Sequence, residues 1–134
     1  MRQWDSSALI EVEACSGERK KAKEVVAVLT MDRLRCENPQ DSDFDEIMIQ
    51  ANGRQVWPFT GWFTIGTGLE VPIGVDVAFN GEVTVVLYDQ EDFGTDDDLG
   101  GVIISEGDTD GQARFDITGG GFHYILTYRV KVVD

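Results

Sequence analysis

The chain has 134 residues, 42% of them hydrophobic, and a formal net charge of −14 at pH 7. This length fits one domain that buries about two-thirds of its unfolded surface, and the apolar content excludes a disordered acidic tail. The charge argues against nucleic acid and against unassisted binding to anionic lipid, because phosphate groups would be repelled. It suits a protein that binds metal cations or a basic partner, although acidity also serves solubility alone.

The first 23 residues are expected to form an N-terminal extension or an extra edge strand, ending in a lysine-rich, solvated connection. Glu11 and Glu13 interrupt the short apolar part, which therefore does not have the pattern of a signal peptide. No apolar run approaches a membrane-spanning length. We therefore expect a soluble protein that is cytoplasmic, or released without a classical signal peptide.

From residue 24 onward, the sequence predicts short strands separated by turn signals. The first is EVVAVLTMDRLRC, which alternates with Val26 and Val28 on one face and Ala27 and Leu29 on the other. A polar loop with Pro39 leads into a second strand, EIMIQA. Alternation of this kind is typical of strands that bury one face.

Two Asn-Gly pairs mark the sharpest predicted turns. The pair at 52–53 joins EIMIQA to a return strand, RQVWP, and the pair at 80–81 predicts a second hairpin into the strand that begins at Val83. Between them, LEVPIGVDVAF predicts two short strands around Pro72 and Gly74, because both residues interrupt regular pairing.

The last predicted strands are GQARFDIT and FHYILTYRVKVV, joined by three glycines at 119–121. No helical pattern follows residue 23, so the order of strands predicts an all-β antiparallel sandwich or barrel in one domain over 24–134.

An aromatic cluster lies near a proline and a glycine, and its members are Trp57, Phe59, Trp62 and Phe63. We expect at least two of the four in the core. The alternative places Trp57 or Trp62 at an exposed rim that contacts a protein partner, where tryptophan is enriched.

Sequence signatures of catalysis are missing. No nucleophile elbow, metalloprotease helix, phosphate-binding glycine loop or dinucleotide fingerprint occurs, and the one histidine, His123, is expected to start the last strand as a structural residue. Two cysteines and one histidine do not make a conventional zinc site. Without an export signal, Cys15 and Cys36 are expected as thiols. The sequence predicts a protein that is not an enzyme.

Carboxylates crowd two of the predicted loops. The first loop offers three aspartates just before a strand: Asp41, Asp43 and Asp45. The second follows the strand that begins at Val83 and offers acids at positions i, i+2 and i+8: Asp89, Glu91 and Asp97. Carboxylates so close together repel, and such a loop either spreads in water or closes around a hard cation.

The second loop resembles the third calcium-binding loop of C2 domains, with its strand, Asp-x-Asp, short bulge, further Asp and Leu-Gly entry to the next strand. The segment LTMDRLRCENPQDSDFDEIMI resembles the first calcium-binding loop of the same family. The resemblance implies a C2-like Greek-key sandwich of about eight strands. It also implies Ca²⁺ as cofactor, with ligands among the acids named above: Asp89, Glu91 and Asp97 from the second loop, and Asp45 or Asp43, beside Asp41, from the first.

The chain departs from the C2 pattern at particular residues. Glu91 stands where the family usually has an Asp, and Asp98 replaces the aromatic residue before Leu-Gly. The basic strand with which lipid-binding members touch acidic headgroups is also missing. The run from Asp41 to Asp45 copies the start of an EF-hand loop too, but Glu46 holds the glycine position there.

The resemblance thus implies a non-enzymatic calcium-binding module whose loops support contact with a protein partner and, less readily, with lipid. The sequence leaves open a calcium-independent acidic protein that binds a basic partner, such as a toxin-neutralising or assembly subunit. It also leaves open a purely structural role, in which loop charges prevent edge-to-edge aggregation of strands.

Overall fold

The computed structural model describes residues 26–41, 43–90, 96–108 and 111–133. Nine strands lie in these ranges: β1 Val26–Asn38, β2 Phe44–Ala51, β3 Arg54–Trp57, β4 Phe63–Gly66, β5 Glu70–Phe79, β6 Glu82–Asp89, β7 Asp97–Ser105, β8 Gln112–Thr118 and β9 His123–Val133. The predicted all-β antiparallel sandwich is confirmed, with nine strands where about eight were expected. The predicted N-terminal element over 1–23 and its lysine-rich end lie outside the described residues.

The strands form two sheets that face each other across one core. The four-stranded sheet has the order β5-β1-β9-β8, and the five-stranded sheet has the order β3-β2-β6-β7, with β4 also paired to β2. The strands β3 and β4 follow one another along the same edge of β2, because β3 pairs with its end and β4 with its beginning. Within the described ranges, no helix is long and apolar enough to span a bilayer.

Strand β1 shows how the alternation builds the core. Ala27, Leu29 and Met31 are fully buried, on the face that the sequence assigned to Ala27 and Leu29. A register shift after Met31 then moves the buried phase by one residue, so that Leu34 and Cys36 face the core. Each large apolar side chain buried in this way stabilises the fold by about 1.5–3 kcal/mol relative to an exposed one.

The prediction of two short strands around Pro72 and Gly74 is wrong, since β5 runs through both residues as one strand. Strand β5 lies at the edge of its sheet, where a residue without an N–H group is tolerated. Pro72 is the register partner of Arg33, directly beside the shift in the β1–β5 ladder. The irregular ladder accommodates both interrupting residues without ending the strand.

The Asn-Gly pair at 52–53 forms the expected hairpin between β2 and β3, with φ of +51° at Asn52 and +81° at Gly53. The predicted hairpin at 80–81 is wrong. The chain reverses there, with φ of +77° at Gly81, but β5 belongs to the four-stranded sheet and β6 to the five-stranded sheet. An Asn-Gly pair specifies a tight reversal, and in this case the reversal carries the chain from one sheet to the other.

Of the four clustered aromatics, Trp57 and Phe63 pack against the core with their ring centroids 5.2 Å apart. Trp62 is half-buried. The exposed member is Phe59, with 92% of its surface accessible, rather than Trp57 or Trp62.

One end of the sandwich brings together the ends of β1, β4 and β6 with the starts of β2, β5 and β7. The N–H of Cys36 donates to the Leu69 carbonyl (2.9 Å), the N–H of Gly68 to the Cys36 carbonyl (2.7 Å), and the N–H of Gln90 to the Glu46 carbonyl (2.8 Å). We call this end the acidic end, because both predicted acidic loops leave the sheets here.

Candidate metal centre

Three carboxylates meet at the acidic end. Asp45 is the second residue of β2, Asp89 is the last residue of β6, and Asp41 lies in the connection between β1 and β2. One oxygen of each lies within 4.8 Å of the others. Asp45 is 1% exposed and Asp89 is fully buried, whereas Asp41 is exposed. The pairing of β2 with β6, in which Ile47 lies opposite Asp89, brings the two loops together.

Asp45 holds the first acidic loop in shape through its carboxylate. Oδ2 accepts the N–H of Gln40 (2.7 Å) and Oδ1 accepts the N–H of Asp41 (2.9 Å). The hydroxyl of Tyr124 also donates to Oδ2, at 2.5 Å. These donors explain how a carboxylate is buried here, because a buried charge requires hydrogen-bond partners.

Asp89 makes a similar link between strands. Its Oδ1 accepts the N–H of Glu46 (3.0 Å), while the Glu46 carbonyl accepts the N–H of Gln90. The end of β6 is thereby tied to the start of β2 beyond the last regular pair. The position of this carboxylate is therefore set by backbone contacts as well as by its own side-chain rotamer.

Tyr124 reaches the site from the opposite sheet. It lies in β9, is fully buried, and is the register partner of Cys36 in β1. Burial raises the pKa of the Tyr124 hydroxyl above its ordinary value, and its hydrogen bond to Asp45 raises it further. Burial also raises the pKa of the Cys36 thiol, which interacts with Tyr124. A chain of polar groups from Cys36 through Tyr124 to Asp45 thus crosses the core.

The structure brings together some of the six predicted ligands and not others. Asp41, Asp45 and Asp89 form the group. Asp97 is the register partner of Asp89 on β7, and Asp43 is exposed; neither belongs to it. Glu91 lies outside the described residues.

The turn that follows β7 contains Glu106 and Asp108 and has a local structural role. The carboxylate of Asp108 accepts the N–H and the hydroxyl of Ser105, both at 2.7 Å. The hydrogen bond from the Ser105 N–H lowers the pKa of Asp108, and the bond from the Ser105 hydroxyl lowers it further. The turn closes the end of β7 and lies between β7 and β8. His123 begins β9, as the sequence predicts, and Cys36 is a buried free thiol, whereas Cys15 lies outside the described residues.

The chemistry of the group is set by its three carboxylates. Two unit charges of like sign about 4 Å apart repel by roughly 4 kcal/mol at an effective dielectric constant of 20. The group contains only oxygen ligands, which hard cations prefer, and lacks the thiolate or imidazole that zinc takes up readily.

Sequence reasoning missed Tyr124, although a signal for it exists. In FHYILTYRV, Tyr124, Leu126 and Tyr128 share the apolar phase of the strand and are all buried. A tyrosine in the buried phase needs a partner for its hydroxyl, and an acidic loop supplies one.

No protein-family model matches the chain, and no curated protein matches it. Solved structures with a similar fold include one described as "Structure of a C2 domain", at 13% identity and a TM-score of 0.47, covering 81% of this chain and 99% of that one. The fold is C2-like. A C2 domain of plant Extended Synaptotagmin 1 aligns at 9% identity and a TM-score of 0.49, covering 85% of this chain and 99% of that one.

A third similar structure is human GIVD cytosolic phospholipase A2, at 10% identity and a TM-score of 0.49. The alignment covers 86% of this chain but only 17% of the phospholipase chain. Likeness at this level of identity and TM-score concerns the fold, and carries no argument about ligands or activity.

Proposed function

We propose that the chain is a non-enzymatic module that binds Ca²⁺ at its acidic end. The observation that carries this proposal is the convergence of Asp41, Asp45 and Asp89 within 4.8 Å of one another, from the β1–β2 connection, the start of β2 and the end of β6. Two of these carboxylates are buried. A divalent cation between them replaces mutual repulsion by attraction, and thereby stabilises the folded state relative to the metal-free protein.

Calcium is the cation that suits this arrangement best. It takes six to eight oxygen ligands from flexible loops, including backbone carbonyls and water. Magnesium requires a nearly ideal octahedron and usually retains several waters, so it gains less from irregular loops. Three carboxylates supply part of the calcium shell, and loop carbonyls with water complete it.

The hydrogen bonds favour different roles for the three carboxylates. A carboxylate has about four acceptor positions, and Asp45 already uses three of them for Gln40, Asp41 and Tyr124. Asp45 therefore orders the first loop and offers at most one position to the cation. Asp41 and Asp89 provide the stronger ligands. Asp43, Glu91 and Asp97 remain proposed ligands through the resemblance to C2 loops.

Thermal melting of the full chain with EDTA or with millimolar CaCl₂ tests the proposal. A ligand present at 100 times its dissociation constant adds about 2.7 kcal/mol to the free energy of unfolding, which gives a clear rise in Tm. Magnesium at equal ionic strength is the control for screening, and is expected to give a much smaller rise. Equal melting in EDTA and calcium would favour the calcium-independent acidic protein.

A pair of matched variants locates the site. Asp89→Asn removes one charge from the group, and is expected to abolish most of the calcium-dependent rise in Tm. Asp108→Asn removes one charge from the turn after β7; it is expected to lower the basal Tm and to leave the calcium-dependent rise intact. Retention of the full rise in Asp89→Asn would place the binding site elsewhere.

We also propose that this end contacts a protein partner, and lipid less readily. Phe44 is 60% exposed and Leu69 is 45% exposed, and together with Asp43, Gly66 and Thr67 they line a shallow pocket beside the site. Pull-down with calcium or EDTA tests this, with Phe44→Ser compared with Ile103→Ser, a change at an equally exposed residue of β7. Selective loss of a calcium-dependent partner in Phe44→Ser is expected. Liposome sedimentation tests whether this end binds lipid.

A further inference from the structure

The basic residues of the described ranges are concentrated on one sheet. Five of the six lie on β1, β8 and β9 of the four-stranded sheet: Arg33, Arg35, Arg114, Arg129 and Lys131. The sixth, Arg54, lies on β3. The four strands of that sheet carry five basic and five acidic residues, whereas the other described residues comprise eleven acidic residues and one arginine. The outer face of this sheet is therefore an electrically neutral area on a strongly negative protein.

Three of these arginines line a groove on that outer face. Arg33 and Arg35 flank the buried Leu34, so both point away from the core. Thr127 of β9 is the register partner of both Arg33 and Arg114, and Ile125 is the partner of Arg35. The groove has a volume of about 280 Å³ and is lined by these residues.

Each arginine already holds a carboxylate of its own chain. The contacts are Arg33–Glu70 at 3.2 Å, Arg35–Glu37 at 2.6 Å and Arg114–Asp116 at 3.4 Å. The arginine side chains are 40–64% exposed. Arg35 also donates from Nη1 to the Gly68 carbonyl (3.3 Å). A guanidinium has five N–H donors in a fork that matches carboxylates, so each of the three arginines retains donors for a second carboxylate.

We propose that this groove binds an acidic segment of a partner protein in extended conformation. Residues two apart on a strand lie about 6.8 Å from each other, so alternate carboxylates on an extended segment match the spacing of Arg33 and Arg35. Arg114 lies two strands from β1, about 10 Å away, and offers a second row.

Electrostatics direct such a segment to this face. An acidic segment is repelled by the acidic end and by the rest of the described surface, and among the described residues it meets several exposed guanidinium groups together only here. The contact does not involve the carboxylates at the acidic end. It is measured in EDTA, so that bound calcium does not contribute to the affinity.

Fluorescence anisotropy of a labelled peptide of alternating Asp and Ser, titrated with the full chain at low salt, tests the proposal. Binding that weakens steeply with added NaCl is expected. Arg35→Gln is expected to weaken binding about tenfold, because it removes a charged hydrogen bond to the peptide, which is stronger than a neutral one. Arg54→Gln causes the same change in net charge on the other sheet, and is expected to leave affinity within about twofold.

A gain of affinity provides a second test. Glu70 competes with the peptide for Arg33, and Glu70→Gln is expected to tighten binding more than Glu82→Gln, an equal charge change on β6. Equal losses in Arg35→Gln and Arg54→Gln would overturn the proposal, since net charge alone would then explain the binding. Equal affinity for a peptide with its Asp residues in one block would overturn the match between alternate carboxylates of an extended segment and the two arginines of β1. Absence of binding at low salt would overturn the proposal that this groove binds an acidic segment.

Discussion

Tyr124 links the two sheets at the acidic end, because its hydroxyl donates to Asp45 across the core. Tyr124→Phe removes that donor and leaves a buried carboxylate with one partner fewer. The expected result is a loss of about 1–3 kcal/mol in the free energy of unfolding, measured by urea denaturation. Tyr128→Phe, a change at the other buried tyrosine of β9, is the control and is expected to cost less. Equal losses in the two variants would contradict a specific role for the bond to Asp45.

The stability of the protein at alkaline pH tests the contribution of the same hydroxyl. Burial raises the pKa of Tyr124 above its ordinary value of 10.0. A group whose pKa is raised by folding stabilises the protein below its unfolded pKa, and this contribution is lost as pH rises above that value. The free energy of unfolding is therefore expected to fall above pH 10, and to fall less steeply in Tyr124→Phe. Denaturation curves at a series of pH values measure both slopes.

At the scale of elements, the backbone of β6 comes unusually close to β7 at Gly101. A Cβ atom at this position would lie 2.1 Å from the Val85 carbonyl oxygen, a distance that no real contact shows. Gly101→Ala is expected to separate the strands and to destabilise the fold by about 1–3 kcal/mol or more. Gly107, in the turn after β7, has open space around it, and Gly107→Ala is the control. Calorimetric melting of both variants checks the difference.

Local alternation was sufficient to predict β1, β8 and β9, because each buries one face and follows a period of two. It was not sufficient at Pro72, where edge position rather than residue type decides whether a strand continues. It also failed at Asn80 and Gly81, because a turn signal fixes a reversal of the chain and not the sheet that the next strand joins. Those two outcomes depend on pairing between distant segments.

The candidate site was also predictable only in part. The crowding of Asp41, Asp45 and Asp89 in two loops is visible in the sequence, but their mutual distance depends on the pairing of β2 with β6. The donor from Tyr124 comes from a strand 79 positions away from Asp45. The arginine groove had a local signal that was missed, since Arg33 and Arg35 alternate with buried residues on the polar phase of β1.

For the whole molecule, the net charge of −14 opposes folding through self-repulsion. Raising NaCl from about 0.1 M to about 1 M shortens the Debye length from about 10 Å to about 3 Å. Tm is therefore expected to rise with salt in EDTA. A fall in Tm would show that the ion pairs of the four-stranded sheet stabilise the fold more than repulsion elsewhere destabilises it.

The fully buried thiol of Cys36 lies beside Tyr124 on the innermost pair of strands of its sheet. A thiol-reactive reagent reaches it only when the core packing around it opens, and burial, which raises the pKa of the thiol, keeps it protonated until then. In a Cys15→Ser background, the labelling rate of this single sulfur thus counts opening events at the acidic end. Comparing that rate in EDTA and in calcium therefore measures how far a bound ion suppresses the opening of that end.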